Sequence, residues 1–151
     1  MRALAVLGIL AILFAAYAVN SGLIDLRSDP LYAEAVDFIE TDKTDDHTYI
    51  LGTYDCHEYT MDTQYNASVE GIRCAYVWIY FAGSASDHAI VAFDTTDRGI
   101  VFFEPQVDLE VDVEIGQYYV TPGSSHMVED IDFVWYVVKT HQQDFYREYM
   151  S

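Results

Sequence analysis

The chain has 151 residues, with 25 acidic side chains against 7 basic ones and a formal charge of −18. That length allows one domain around one core and excludes two of ordinary size. The charge repels phosphate backbones and anionic head groups, so no nucleic acid is expected as a partner. Hydrophobic residues at 52% and aromatic residues at 15%, thirteen of them tyrosine, supply a core and argue against disorder.

Arg2 followed by an uncharged apolar stretch over residues 3–19 has the form of an export address, with Ala16 and Ala18 where a signal peptidase could cut. The stretch lies between a signal h-region and the roughly 20 residues of a full span, so residues 1–19 are read as a signal peptide or an N-terminal membrane anchor. Either places the protein outside the cytoplasm, secreted or held at the membrane through residues 3–19. Residues 20–29 form a linker, and 30–151 form the domain.

Ser28-Asp29-Pro30 carries a helix start signal, and Leu31, Ala35, Phe38 and Ile39 follow at helical spacing, which predicts a helix over about 30–41. A polar run through His47 breaks it. Asp55 as N-cap, Glu58 in capping-box position and Gly71 as stop predict a second helix over about 56–69. Its middle is only weakly amphipathic. Ile72 to Phe81 is almost continuously apolar, as in a strand buried on both faces. Strands over about 88–94 and 98–104 flank a turn at Thr95-Thr96-Asp97. Alternation from Asp108 to Ile115 predicts a half-buried strand with one acidic face, a further strand covers about 131–138, and a short tail helix follows. Helices first and consecutive strands after them give an α+β fold, an antiparallel sheet packed against N-terminal helices.

Two cysteines in an exported domain ordinarily suggest a disulfide, here Cys56–Cys74. Their settings differ, however. Cys74 falls in the most apolar strand, where a buried thiol is inert, whereas Cys56 opens a helix, whose N-terminus favours the nucleophilic thiolate. A nucleophilic Cys needs a base and a group that orients the base. Of five histidines, His47, His126 and His141 sit in polar or turn segments. His57 neighbours Cys56, but adjacent helical side chains diverge by about 100°. His88 opens a strand after a Gly/Ser-rich loop.

With a three-residue loop at Thr95-Thr96-Asp97, Asp94 opposes Arg98 and His88 opposes Glu104 on the same face, roughly 5 Å apart at Cβ. Asp94 shares that face but lies about 20 Å along the strand, and Asp87 points to the other face. Glu104 is thus the acid best placed for His88.

Tyr54-Asp55-Cys56, then Gly71-Ile72-Arg73-Cys74-Ala75-Tyr76-Val77, His88-Ala89 opening a strand and Glu104-Pro105 closing the next together resemble the transglutaminase-like, papain-type core. The run Ala92 to Gly99 followed by Phe102-Phe103-Glu104-Pro105-Gln106 is similar to a group of archaeal exported transglutaminase-like proteins, and the likeness covers about residues 30–138. It implies Cys56 as nucleophile, His88 as base and Glu104 as the orienting acid. Glu104 stands where that superfamily usually has Asp, and Ala89 where Trp often follows the histidine. The expected activity is cysteine-dependent acyl transfer, as a peptidase, an amidase or a cross-linking enzyme, on a protein or peptide substrate without cofactor or metal. The alternative is a non-catalytic exported surface or binding domain that keeps the fold. Cation binding by Asp108, Glu110, Asp112 and Glu114 is weighed against an ordinary solvated strand face, which is preferred because the calcium-loop glycine and spacing are missing. Asn66-Ala67-Ser68 meets the glycosylation sequon, a frequent chance match.

Overall fold

The computed structural model describes residues 8–15, 17, 26–84, 87–121 and 124–135. Residues 8–15 are helical. Among the described residues no helix is long and apolar enough to cross a membrane. The signal cleavage region, residues 20–25 of the linker, His141 and the expected tail helix lie outside the described residues.

The domain begins with helix α1 (Tyr32–Thr41), a 3-10 turn (Thr44–Asp46) and helix α2 (Cys56–Val69). Six strands follow: β1 (Ala75–Phe81), β2 (Asp87–Thr95), β3 (Gly99–Glu104), β4 (Leu109–Val111), β5 (Tyr118–Thr121) and β6 (Ser124–Val134). They form one sheet in the order β4-β3-β2-β1-β6-β5, with every registered pair antiparallel. The fold is α+β, helices first and sheet after, as the element order predicts.

Helix α1 starts two residues later than expected. Neither Ser28 nor Asp29 caps it: Leu31 N–H donates to Glu34 Oε2 at 2.7 Å, and Tyr32 N–H donates to Asp97 Oδ1 at 2.7 Å. Asp97 lies in the β2–β3 turn, so the cap comes from tertiary structure that local spacing cannot show. Asp29 instead accepts from Arg73 Nε at 2.6 Å. Helix α2 covers the expected span, and both halves of the Asp55/Glu58 capping box are formed.

Alternation along the strands divides the core into two. On the helix side, Ala35, Phe38 and Ile39 of α1 and Ala67 of α2 meet Val91, Phe93, Val101 and Phe103, with Cys74 among them. On the other side, residues of all six strands gather around Val77, Ile79, Ile90, Ala92, Tyr119 and Val128. A flat sheet does not permit this. Strand β5 lies four places from β3, about 19 Å at the usual spacing, yet the Tyr119 hydroxyl is 2.9 Å from Glu104. The sheet therefore curls until its far strands face each other across an apolar interior.

Several expected strands differ. The alternation over Asp108–Ile115 yields only the three residues of β4: Asp108 stands before the strand in a turn, at φ 53°, and residues 112–115 have left the ladder ahead of a second turn at Gly116, φ 84°. The four acids consequently share no strand face, and Glu110 accepts the Tyr32 hydroxyl at 2.7 Å. The strand expected over 131–138 begins earlier, at Ser124, and incorporates His126, which was expected in a turn; β5, its hairpin partner, was not anticipated. Of the expected span, residues 136–138 lie outside the described residues. Asn66 of the sequon is half-buried and its amide donates to Asp42 Oδ1 at 2.7 Å, so it is turned toward protein.

Phe93 joins the helices to the sheet, fully buried, with edge-on rings of Phe38 and Phe103 each 5.9 Å away. Phe93→Ala should lower the unfolding free energy by about 3–5 kcal/mol in urea titrations. A loss under about 1 kcal/mol would be that of an ordinary surface change and inconsistent with this packing.

Candidate active site

Cys56 is the first residue of α2, where the Asp55 cap fixes the turn. Asp55 Oδ1 accepts from His57 N–H at 3.2 Å, its Oδ2 accepts from Gly52 N–H at 3.0 Å, and Asp55 N–H donates to Glu58 Oε2 at 2.9 Å. The preceding loop is therefore tied to the start of the helix. Cys56 is half-buried, against Tyr76, Trp78 and Ala89. Both cysteines are free, so the disulfide weighed from composition does not form. Cys74 is fully buried, and burial pushes its thiol far above the ordinary range.

His88, second residue of β2, has Nε2 2.6 Å from Glu104 Oε2, with each side chain only 12% exposed. The Cys56 side chain is within hydrogen-bonding reach of the same imidazole. The three residues singled out in the sequence thus meet in one place.

The path to that meeting differs from the one expected. The turn is Thr96-Asp97-Arg98, with Thr95 opposite Gly99 and Asp94 opposite Ile100. The register is shifted by two residues from the expected Asp94–Arg98 pairing. Gly99 takes φ 75°, a left-handed conformation that glycine adopts without strain, and the Thr95 hydroxyl donates to Gly99 O at 2.8 Å, which fixes the shift. An even shift preserves the face, so Glu104 remains on the side of His88 but falls opposite Ile90 by extension of the ladder. It reaches His88 diagonally, over roughly 7–8 Å between Cα positions. The additional methylene of Glu relative to Asp suits that diagonal.

The Glu104 carboxylate has further donors. The Tyr119 hydroxyl donates to Oε2 at 2.9 Å and Gln106 Nε2 donates to Oε1 at 3.1 Å. The Tyr119 ring lies 5.6 Å from the His88 ring. Neither residue was singled out in the sequence. A β5 too short and too exposed on its outer face to be anticipated carries Tyr119, while Gln106, two residues beyond Glu104, stands in the motif itself.

Burial works against a charged imidazole at His88, but hydrogen bonds to Cys56 and Glu104, and the negative charge of both, outweigh it and push the pKa up to about 10. Burial, and then the charge and hydrogen bond of Glu104, raise the Tyr119 phenol, which therefore stays a donor.

His57 faces elsewhere, as expected from helix geometry. Its Nδ1 meets the Tyr76 hydroxyl and its Nε2 lies 3.7 Å from Asp87 Oδ1. The hydrogen bond from His57 draws the Asp87 carboxyl below its ordinary value. Donor atoms of Asp55, Cys56 and His57 lie within 4.8 Å of one another, the spacing of a metal site. Each carboxylate oxygen of Asp55 and each nitrogen of His57 already has a protein neighbour, so a metal would have to displace the helix cap. A concavity of about 530 Å³ between the 3-10 turn and α2, lined by Asp42, Thr44, Asp62 and Asn66 among others, includes none of the three site residues.

No protein-family model matches the chain, and no curated protein matches it. Among solved structures it is similar to a Polyporus squamosus lectin bound to a human-type influenza-binding epitope, at 13% identity and TM-score 0.46, over 56% of this chain and 34% of the lectin chain. A structure described as a PSL1a–E64 complex is similar at 16% identity and TM-score 0.45, over 55% and 36%. The chain spans about a third of those proteins. No family is assigned by these matches.

Because the folded pKa of His88 lies above its unfolded value of 6.5, its contribution to stability is fully present below about pH 6.5 and lost as pH rises through about 10. Urea midpoints of the wild type should fall across that window, and His88→Gln should flatten the slope. Equal slopes in the two proteins would show that His88 is not held in its charged form.

Proposed function

We propose that the protein is a cysteine-dependent acyl-transfer enzyme of the transglutaminase-like type, acting outside the cytoplasm on protein or peptide substrates. The observation that carries this reading is the His88 imidazole held between Cys56, at a helix start, and the buried Glu104 carboxylate at 2.6 Å.

In the proposed cycle the Cys56 proton passes to His88 and the sulfur acts as the thiolate, a transfer that the α2 N-terminus favours. The sulfur attacks a carboxamide carbonyl and forms a C–S bond. The carbonyl electron pair moves to oxygen, for which the Cys56 backbone N–H at the helix start is the candidate donor. On collapse the C–N bond breaks, and the imidazolium passes its proton to the departing amine. Water or a second amine, deprotonated by the now neutral His88, then attacks the thioester and releases the thiolate, returning the proton to His88. Water gives hydrolysis and an amine gives cross-linking. Glu104 orients the imidazole and stabilises its charged form; it need not take the proton.

Cys56 is reachable and paired, whereas Cys74 is buried with its thiol pushed up. Iodoacetamide at pH 7 should therefore label Cys56 and spare Cys74 in native protein, read by peptide mass mapping. His88→Ala should slow that labelling about 100-fold, the lower end of what a positioned base contributes. Equal labelling rates in the wild type and His88→Ala would sink the proposed dyad.

A further inference from the structure

We infer that Tyr119 is a positioning residue of the site, holding Glu104 so that its Oε2 faces His88. This rests on the reading of Cys56, His88 and Glu104 as a working triad.

Glu104 needs such a constraint. It reaches His88 along a diagonal, through a side chain with one more rotatable bond than Asp, and a carboxylate so placed can turn away in several rotamers. Oε2 accepts from both His88 Nε2, at 2.6 Å, and the Tyr119 hydroxyl, at 2.9 Å. The phenol therefore selects which oxygen is presented and in which direction. Gln106 at Oε1, 3.1 Å away, holds the other end. Tyr119 can serve because it is itself fixed. Only 4% of it is exposed, its ring stacks on Phe81 at 6.2 Å, and its backbone pairs with His126 of β6. Its hydroxyl also gives a buried carboxylate a donor on the oxygen that faces His88.

Removing that hydroxyl should weaken the stabilisation of the imidazolium in two ways. Glu104 becomes freer to swing, and the oxygen that faces His88 loses a donor. Tyr119→Phe in the full chain leaves the ring and its packing in place. The His88 ring-carbon signal, followed by NMR against pH, should show the imidazole pKa lowered by about one unit, a tenfold change in its proton affinity. Iodoacetamide labelling of Cys56 at pH 7 should slow by a similar factor. Phe133→Leu loosens the same apolar cluster where its ring meets Phe102 and Trp135, and should lower the melting temperature while leaving the His88 titration in place. An unchanged or raised His88 pKa in Tyr119→Phe overturns the inference, as does an equal fall in Phe133→Leu. If wild-type labelling proves independent of His88, acyl transfer falls while the titration still decides the role of Tyr119.

Discussion

A carboxylate removed from water must be met by donors, and at Glu104 that requirement organises the protein. Its partners come from β2, β5 and the turn after β3, which in an open sheet would be scattered over about 20 Å. The curl that gathers Val77, Ile90, Tyr119 and Val128 into one apolar interior also brings the Tyr119 hydroxyl to Oε2. Burial of the interior and satisfaction of the carboxylate thus favour the same curvature. Neither can be relaxed alone, because flattening the sheet would expose the cluster and leave Glu104 with fewer partners.

The nucleophile is brought in by a second, independent attachment. Two consecutive residues of α2 engage two consecutive residues of β2: Cys56 reaches His88, and His57 lies against Asp87. One contact would leave the helix start free to pivot. The His57 pair, together with the Tyr76 hydroxyl on Nδ1, fixes its rotation, while the Asp55 cap fixes the loop before it. His57 thus acts in the geometry of the site through the strand that bears His88 and not through the sulfur.

Where physics is local, the sequence was legible. Asp55, Glu58 and Gly71 marked the ends of α2, although its middle gave almost no periodicity, because capping depends on a few residues at fixed offsets. The apolar run of β1 and the parity linking His88 to Glu104 were legible for the same reason. Parity survives any even slip of register, which is why Glu104 emerged as the partner even though the turn was placed one residue early. What could not be read was nonlocal. Asp97 caps α1 from 65 residues away, Tyr119 meets Glu104 only because the sheet curls, and the chain leaves the ladder after Val111 although its alternation, residue by residue, describes a longer strand.

The composition itself takes on a structural meaning in this fold. Twenty-five acids cannot all find partners among seven cations, and among the described residues several tyrosines supply neutral donors instead. Tyr32 donates to Glu110 at 2.7 Å, Tyr54 to Asp62 at 2.6 Å and Tyr119 to Glu104 at 2.9 Å. A phenol holds a carboxylate by a short, directional bond and adds no counter-charge, so the bond depends less on ionic strength than an exposed ion pair does. At Glu104 the distinction is functional. A lysine or arginine in the place of Tyr119 would neutralise the carboxylate and weaken its hold on the His88 imidazolium. The hydroxyl directs the carboxylate and leaves its charge available to the histidine.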